Sequence, residues 1–321
     1  MQRRISVIIP VYNGARFIRE ALESVCNQTY LPVEIVVADD CSIDNTCEVV
    51  AEFARTTPVP ITLFSMQKNT GGPYGPAREA FHRTTGEYLV VLDADDLFDP
   101  DAFATYIAMY EADPTANVGL AATDLMMFED GTGRTVLPSS FARWPSLLES
   151  VLADPSPTGV LLTREQAYRA VAFGFAIPFR GLIARAAWEA IGGPDPHYFH
   201  TGDCDFTWRL VSKTNYRVRL LNRPLNRVRA SPGSMSANRL ISSRQLIDLY
   251  RDMLLDIDDQ EIRADIRRRL RDALFDLAYH SYKKRKFWSV LPAVWGLAVE
   301  RLRATLSPTR QPYSAVEDKV R

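Results

Sequence analysis

The chain has 321 residues, 46% hydrophobic and 24% charged, with a net charge of −1; this supplies a sizeable core and excludes a dedicated nucleic-acid binder with a basic footprint. Its four cysteines, Cys26, Cys41, Cys47 and Cys204, form no CxxC pair, which excludes a zinc knuckle or dithiol redox motif and fits a reducing compartment. No apolar stretch approaches the ~18 residues of a spanning helix, and the run before Pro10 is too short for a secretory signal, so the cytoplasm is the expected location.

Ile5 to Ile9 is a β-branched run ending at Pro10, the pattern of a strand buried on both faces. After the Asn13-Gly14 turn, Phe17, Ile18, Ala21, Leu22 and Val25 recur at helical spacing. Glu34 to Ala38 predicts a second buried strand ending in Asp39-Asp40, and Asp44 is placed to cap a helix carrying Val49, Val50 and Phe53. Ile61 to Met66 reads as a third strand. A Gly/Pro-rich loop, Asn69 to Pro76, then precedes a short helix from Ala77 and a fourth strand, Tyr88 to Leu92. Further on, Asn117 to Thr123, Ile177 to Ile183 and Tyr216 to Leu221 read as strands. Helices are expected around Leu147 and Tyr168 and over Cys204 to Val211. Beyond about Leu240 the pattern is wholly helical, which divides the chain into 1–240 and a helical region 241–321.

Alternating strands and helices imply βαβ units and a mostly parallel sheet, whose ligands bind beyond the carboxyl ends of the strands. Two of those ends carry carboxylates, Asp39-Asp40 and Asp93-Ala94-Asp95-Asp96. Crowded carboxylates repel and resist desolvation, and a hard divalent cation, Mn²⁺ or Mg²⁺, offsets both. Such an ion keeps several waters and shares substrate phosphate oxygens, so one or two protein carboxylates are enough. The other reading is a solvated acidic turn with Asp96 or Asp99 capping the next helix.

The context bears on that choice. Ser-Val-Ile-Ile-Pro-Val-Tyr-Asn-Gly at the start, Glu34-Ile-Val-Val-Ala-Asp-Asp-Cys-Ser-Ile-Asp-Asn-Thr46, the Asn69 to Arg78 element and Thr85-Gly-Glu-Tyr followed by Val91-Leu-Asp-Ala-Asp-Asp96 stand in one order. Together they resemble family 2 glycosyltransferases over residues 4–110 and, less completely, 175–236. The resemblance implies a GT-A fold, a Rossmann-like α/β/α sandwich, divided into a nucleotide-sugar half over 1–110 and an acceptor half over 111–240. It implies inverting transfer from a nucleotide-diphospho-sugar, expected to be a UDP-sugar. Pro10 and Tyr12 match the nucleoside contacts, Asp40 the acceptor of the uracil N–H, and Arg78 a base- and phosphate-side arginine. Asp93, Ala94 and Asp95 match the Asp-x-Asp donor contact, with Asp95 and Asp96 as metal ligands. Cys41 departs from the family's usual Gly or Asn.

For the base, Tyr198-Phe-His-Thr-Gly-Asp-Cys-Asp-Phe-Thr-Trp-Arg209 resembles the acidic motif that precedes a helix carrying Trp and Arg. It aligns Asp203 with the carboxylate that takes the acceptor's proton, with Asp205 as the fallback. Gly202 stands where the family often has Glu. An N-cap role for Asp203 is the competing and compatible reading. Arg227 to Ser236 resembles the late loop near the diphosphate, which points to Arg229 and Ser234; a solvated basic loop fits as well. His197 and His200 could line the acceptor side but are not taken as metal ligands. Trp144, Trp188, Tyr198 and Trp208 fall in the acceptor half, Trp188 and Trp208 chiefly as core.

The tail holds five arginines in Arg263 to Arg271, then Lys283-Lys-Arg-Lys286 before an apolar stretch with two tryptophans. Helices on the inner face of a membrane, which would suit a lipid-linked acceptor, compete with a helical region packed on the domain or forming a homo-oligomer. Saccharide and small-molecule acceptors stay open. The alternatives in function are a sugar nucleotidyltransferase and a non-catalytic carbohydrate-binding or scaffold relic. The first lacks its Gly-rich N-terminal loop here, and Asp40, Asp95 and Asp203 weigh against the second.

Overall fold

β1 (Ile5–Val11) is buried at every position, as the unbroken apolar run requires of a central strand. The computed structural model describes residues 3–144, 148–172, 177, 179–230, 239–283, 292 and 294–299. In chain order β1 is followed by α1 (Ile18–Cys26), β2 (Glu34–Asp39), α2 (Thr46–Ala54), β3 (Ile61–Ser65), α3 (Tyr74–Phe81) and β4 (Tyr88–Val91). Then come β5 (Leu97–Phe98), α4 (Ala102–Glu111), β6 (Val118–Glu129), β7 (Thr135–Leu137), α5 (Glu149–Leu152), β8 (Val160–Leu161) and α6 (Arg164–Ala172). The rest is β9 (Leu182–Ala184), α7 (Arg185–Ile191), α8 (Gly202–Lys213), β10 (Arg217–Ala230), α9 (Arg239–Asp256) and α10 (Gln260–Lys283).

Among the described residues ten strands form one sheet, ordered β3-β2-β1-β4-β9-β6-β10-β5, with β7 on β6 and β8 on β10. β3, β2, β1 and β4 run parallel, as do β6 and β10. β9 lies antiparallel between β4 and β6. Alternate residues feed two cores. Val7, Ile9, Val90 and Leu92 pack with α1, α2 and α4, whereas Ile8, Leu89 and Val91 pack with α3 and the later helices. The result is the expected α/β/α sandwich.

Several boundaries differ from expectation for identifiable reasons. α3 begins at Tyr74, because Pro76 is tolerated in a first turn, where its missing N–H has no helical partner. Asn45 occupies the N-cap position of α2, although Asp44 still accepts from the Thr46 N–H at 3.1 Å. β9 spans only Leu182–Ala184. β10 runs on through Arg227 and Arg229, which had been expected in a loop. Register shifts on either side of Pro224 absorb the residue that cannot donate, and pairing with β6 then resumes. Leu147, and Ser234 with the rest of 231–238, lie outside the described residues.

α9 and α10 share the core of the sheet. Ile247, Tyr250, Met253, Ile266, Leu270 and Leu274 sit in one cluster with Trp188 and Trp208. Of the five arginines in α10, Arg263 donates to the carbonyls of Leu254 and Ile257 at 2.6 Å, closing the end of α9. Arg269 lies over the Trp144 ring. Residues 239–283 thus follow the packed reading of the tail; Lys284 to Lys286 lie outside the described residues. Among the described residues no helix is long and apolar enough to cross a membrane.

Candidate active site

The parallel strands β1, β2 and β4 end on one edge, and the site is built there. Pro10 is buried within β1, and Tyr12, just past its end, is 51% exposed with its ring available for stacking. Asp40 follows β2 and is buried. Both its carboxylate oxygens accept from the Thr70 N–H at 2.9 Å, and its carbonyl accepts from Asn69 Nδ2 at 2.9 Å. Oδ2 also accepts from the Thr70 hydroxyl at 3.1 Å, so Asp40 anchors the Gly/Pro-rich loop before α3 and keeps about one of a carboxylate's roughly four acceptor sites, on Oδ1. Cys41 adopts φ +65°, the left-handed region where Gly or Asn is usual, and its Sγ donates to the Met66 carbonyl at 3.0 Å. The turn that the family builds with Gly or Asn is thus kept with cysteine.

After β4 the chain turns through Asp93 to Asp96 and enters β5, whose register places the turn. Phe98 pairs with Asn226 and Leu97 with Arg227, so Asp95 and Asp96 come beside Arg229. The Arg229 N–H donates to Asp96 Oδ1 at 2.9 Å and its Nε to the Asp95 carbonyl at 2.9 Å. Its guanidinium is taken by Glu20 at 2.7 Å and Asp130 at 3.0 Å and lies between the Phe17 and Phe128 rings. Arg229 is therefore a clamp on the acidic turn; its charge is already spent and is not free to face a diphosphate.

Arg78, expected on the base and phosphate side of the donor, lies in α3, and its side chain lines a cavity with Phe81, His82 and Trp188. The arginine that meets the clustered carboxylates is Arg180. Leu182 pairs antiparallel with Val90, so the segment before β9 projects past the end of β4. There Arg180 Nη2 contacts Asp93 and stands 2.7 Å from Asp96 Oδ2. No motif marks Arg180; only the antiparallel insertion of β9 brings it here.

The three carboxylates differ in their freedom. Asp96 is buried and held by Arg180 and the Arg229 N–H, and burial pushes its carboxyl up to about 7 against the pull of Arg180. These partners compete with a metal ion for both Asp96 oxygens. The Asp95 carboxylate makes no bond to another residue among those described; burial first, then the charge of Asp93, raises its pKa. No group of three or more His, Cys, Asp or Glu residues suited to a metal occurs among the described residues. A divalent ion sharing diphosphate and water oxygens fits Asp95 all the same, because such an ion needs only one or two protein carboxylates.

Asp203 lies in the first turn of α8, where Thr201 takes the N-cap position, so the N-cap reading does not apply to it. A negative charge there is favoured by the helix dipole. Its Oδ1 accepts from the Cys204 N–H at 3.0 Å. Burial raises its pKa, Arg180 pulls it down and Asp93 pushes it up again, which puts the three groups in one electrostatic neighbourhood. The fallback Asp205 is engaged by Arg209 at 2.9 Å inside the fold. Gly202 has a steric origin: a Cβ there would stand 2.0 Å from Tyr74 Cε2. The Tyr74 ring fills the place of a side chain before Asp203. Its phenol is held neutral by burial and then by the charges of Asp203 and Asp93. Tyr74 was missed from sequence because it appeared to be loop.

The remaining candidates belong to structure. His200 Nδ1 pairs with Ser242 Oγ at 3.0 Å, and His197 lies 3.9 Å from Asp248, both on the α9 side. Tyr198 is buried and donates to Asp252 at 2.5 Å, and Trp188 and Trp208 are core.

Comparison with known proteins gives the same picture. The sequence model of Glycosyl transferase family 2 matches residues 6–163. An uncharacterized glycosyltransferase of Nostoc sp. is 31% identical over 157 residues, 49% of this chain and 46% of that protein. The chain thus spans under half of that relative's length. Among solved structures, residues 1–349 of S. aureus TarS in complex with UDP-GlcNAc superpose with a TM-score of 0.62 at 19% identity, covering 85% of this chain and 72% of that one. A mannosyltransferase of Pyrobaculum calidifontis in complex with GDP-Man and Mn²⁺ gives 0.61 at 20% identity, covering 96% and 77%. At these identities the likeness shows the fold, which is GT-A.

Proposed function

The chain belongs to glycosyl transferase family 2, and on that premise we propose that it transfers a sugar from a nucleotide-diphospho-sugar to an acceptor hydroxyl with inversion. The carrying observation is that the first turn of α8, which holds Asp203, packs on the segment that Asp40 anchors: a Cβ on Gly202 would stand 2.0 Å from Tyr74 Cε2, and the Thr70 N–H donates to Asp40. One short segment thus joins the candidate base to a donor-side carboxylate.

Tyr12 stacks on the nucleoside and Asp40 accepts from the base; a uracil N–H suits its remaining acceptor site, which points to a UDP-sugar. Asp93 contacts the donor, and Asp95 is the ligand for Mn²⁺ or Mg²⁺. When bound, that ion supplies charge neutralisation for the departing diphosphate. Asp203 takes the proton of the acceptor hydroxyl as its oxygen attacks from the face opposite the diphosphate. Burial raises its pKa, which makes it a stronger base than an ordinary aspartate. Saccharide, lipid-linked and small-molecule acceptors all present the hydroxyl this step needs.

Support also comes from the neighbouring structures, whose bound nucleotides are UDP-GlcNAc and GDP-Man. Calorimetric titration of UDP, GDP and ADP in Mn²⁺ and in EDTA tests the reading. Metal-dependent binding that prefers UDP is the expected result. Preference for GDP would overturn the Asp40–uracil assignment, and absence of nucleotide binding would overturn the transferase reading.

A further inference from the structure

Arg180 faces two of the three clustered carboxylates and leaves the third alone. Its Nη2 contacts Asp93 and lies 2.7 Å from Asp96 Oδ2. The side chains of Arg180 and Asp96 are 23% and 3% exposed, so the pair sits largely out of bulk water, where an uncompensated charge is costly. The backbone of Arg180 is fixed as well, its carbonyl accepting from the Tyr106 hydroxyl at 3.0 Å. The Asp95 carboxylate has no partner residue among those described. An approaching divalent ion therefore meets one free protein carboxylate with a guanidinium close behind it.

We propose that Arg180 is a built-in counter-cation for the acidic turn. It holds Asp93 and Asp96 in place when neither donor nor metal is bound. It also keeps the affinity for a bare divalent ion low, so that the ion is retained only when a diphosphate adds its own oxygens. This is a positioning role, and its cation half rests on the donor-site reading above. A hard ion needs about six oxygens, and Arg180 has already claimed the carboxylates that would supply more of them.

The test uses the full chain, Mn²⁺ alone as the probe, and two substitutions, Arg180→Met and Arg180→Lys. Melting is recorded in EDTA and in Mn²⁺, and Mn²⁺ binding by calorimetry. Arg180→Met is expected to melt roughly 6–12 °C lower in EDTA, to regain much of that loss in Mn²⁺, and to bind Mn²⁺ alone at least about tenfold more tightly than wild type. Arg180→Lys, which keeps the charge, should stay near wild type in all three. Equal Mn²⁺ affinity in wild type and Arg180→Met, or an equal melting loss with and without Mn²⁺, overturns the proposal. Should Arg180→Met fail to fold in either medium, Arg180→Met/Asp93→Asn/Asp96→Asn removes the cation and both carboxylates it faces. A restored cooperative melt then supports the counter-charge role, and continued unfolding overturns it. Failure of wild type to bind UDP sinks the donor reading separately and leaves the EDTA melts standing.

Discussion

The two sides of the site are built by different rules. On the β1, β2 and β4 side every candidate group, Tyr12, Asp40, Asp93 and Asp95, stands within a few residues of the strand that aims it. On the other side Asp203 comes from the first turn of α8, Arg180 from the segment before β9, and Arg229 from a strand that bends at Pro224 to reach the acidic turn. The first side is placed by local geometry and the second by packing.

Substitutions that behaved alike on both sides would break this comparison. The largest expected effect is on the packed side. Asp203→Asn should lower the transfer rate by about 10²–10⁴-fold, while Mn²⁺-dependent UDP affinity stays unchanged; initial rates over a panel of UDP-sugars, with calorimetry, check both. Asp203 works deprotonated, and burial raises its pKa, so activity falls as pH drops through a limb above the ordinary 3.8. A pH–rate profile with its limb at or below that value would contradict the assignment. On the local side, Asp95→Ala should weaken UDP binding in Mn²⁺ by at least about tenfold and leave the EDTA value untouched. A loss equal in both media would take Asp95 out of the metal role.

Smaller effects sharpen the contrast. Gly202→Ala drives a methyl into the Tyr74 ring and should cost about 1–3 kcal/mol in a denaturant melt. Most of that cost should vanish in a Tyr74→Ala background; a cost that persists there would place the clash elsewhere. Cys41→Gly relieves a left-handed φ of +65° at the expense of the Sγ–Met66 bond and should raise stability by about 0.5–1 kcal/mol. A loss of stability would show that the thiol contact outweighs the strain.

This division also explains what was legible in the sequence. The base candidate Asp203 came only from the resemblance, whereas the β1 to β4 pattern and the acidic strand ends could be read because apolar runs and the carboxylates beside them are short-range signals. Arg180 could not, since only the antiparallel entry of β9 beside β4 brings it to Asp93. Arg78 came from the resemblance, as an arginine for the donor's base and phosphates; its side chain lines a cavity with Trp188. Arg229 was expected in a loop because Arg227 to Ser236 resembles the family's late loop, whereas β10 absorbs Pro224 through register shifts and runs on to Ala230. The departures at Cys41 and Gly202 were visible as oddities. Their causes, a positive φ and the Tyr74 ring, needed the fold.

The clamp made by Arg229 also sets an order of events during synthesis. The acidic turn leaves the ribosome early, but the strand that fixes it is β10, which pairs in parallel with β6 across a long intervening segment. Such non-local closure is slow, because loop entropy is lost before contacts compensate it. The nascent first hundred residues therefore carry Asp93, Asp95 and Asp96 without Arg180 or Arg229 beside them. A ribosome-bound fragment ending before β9 would hold the strands β1 to β4 yet lack both arginines that fix the acidic turn.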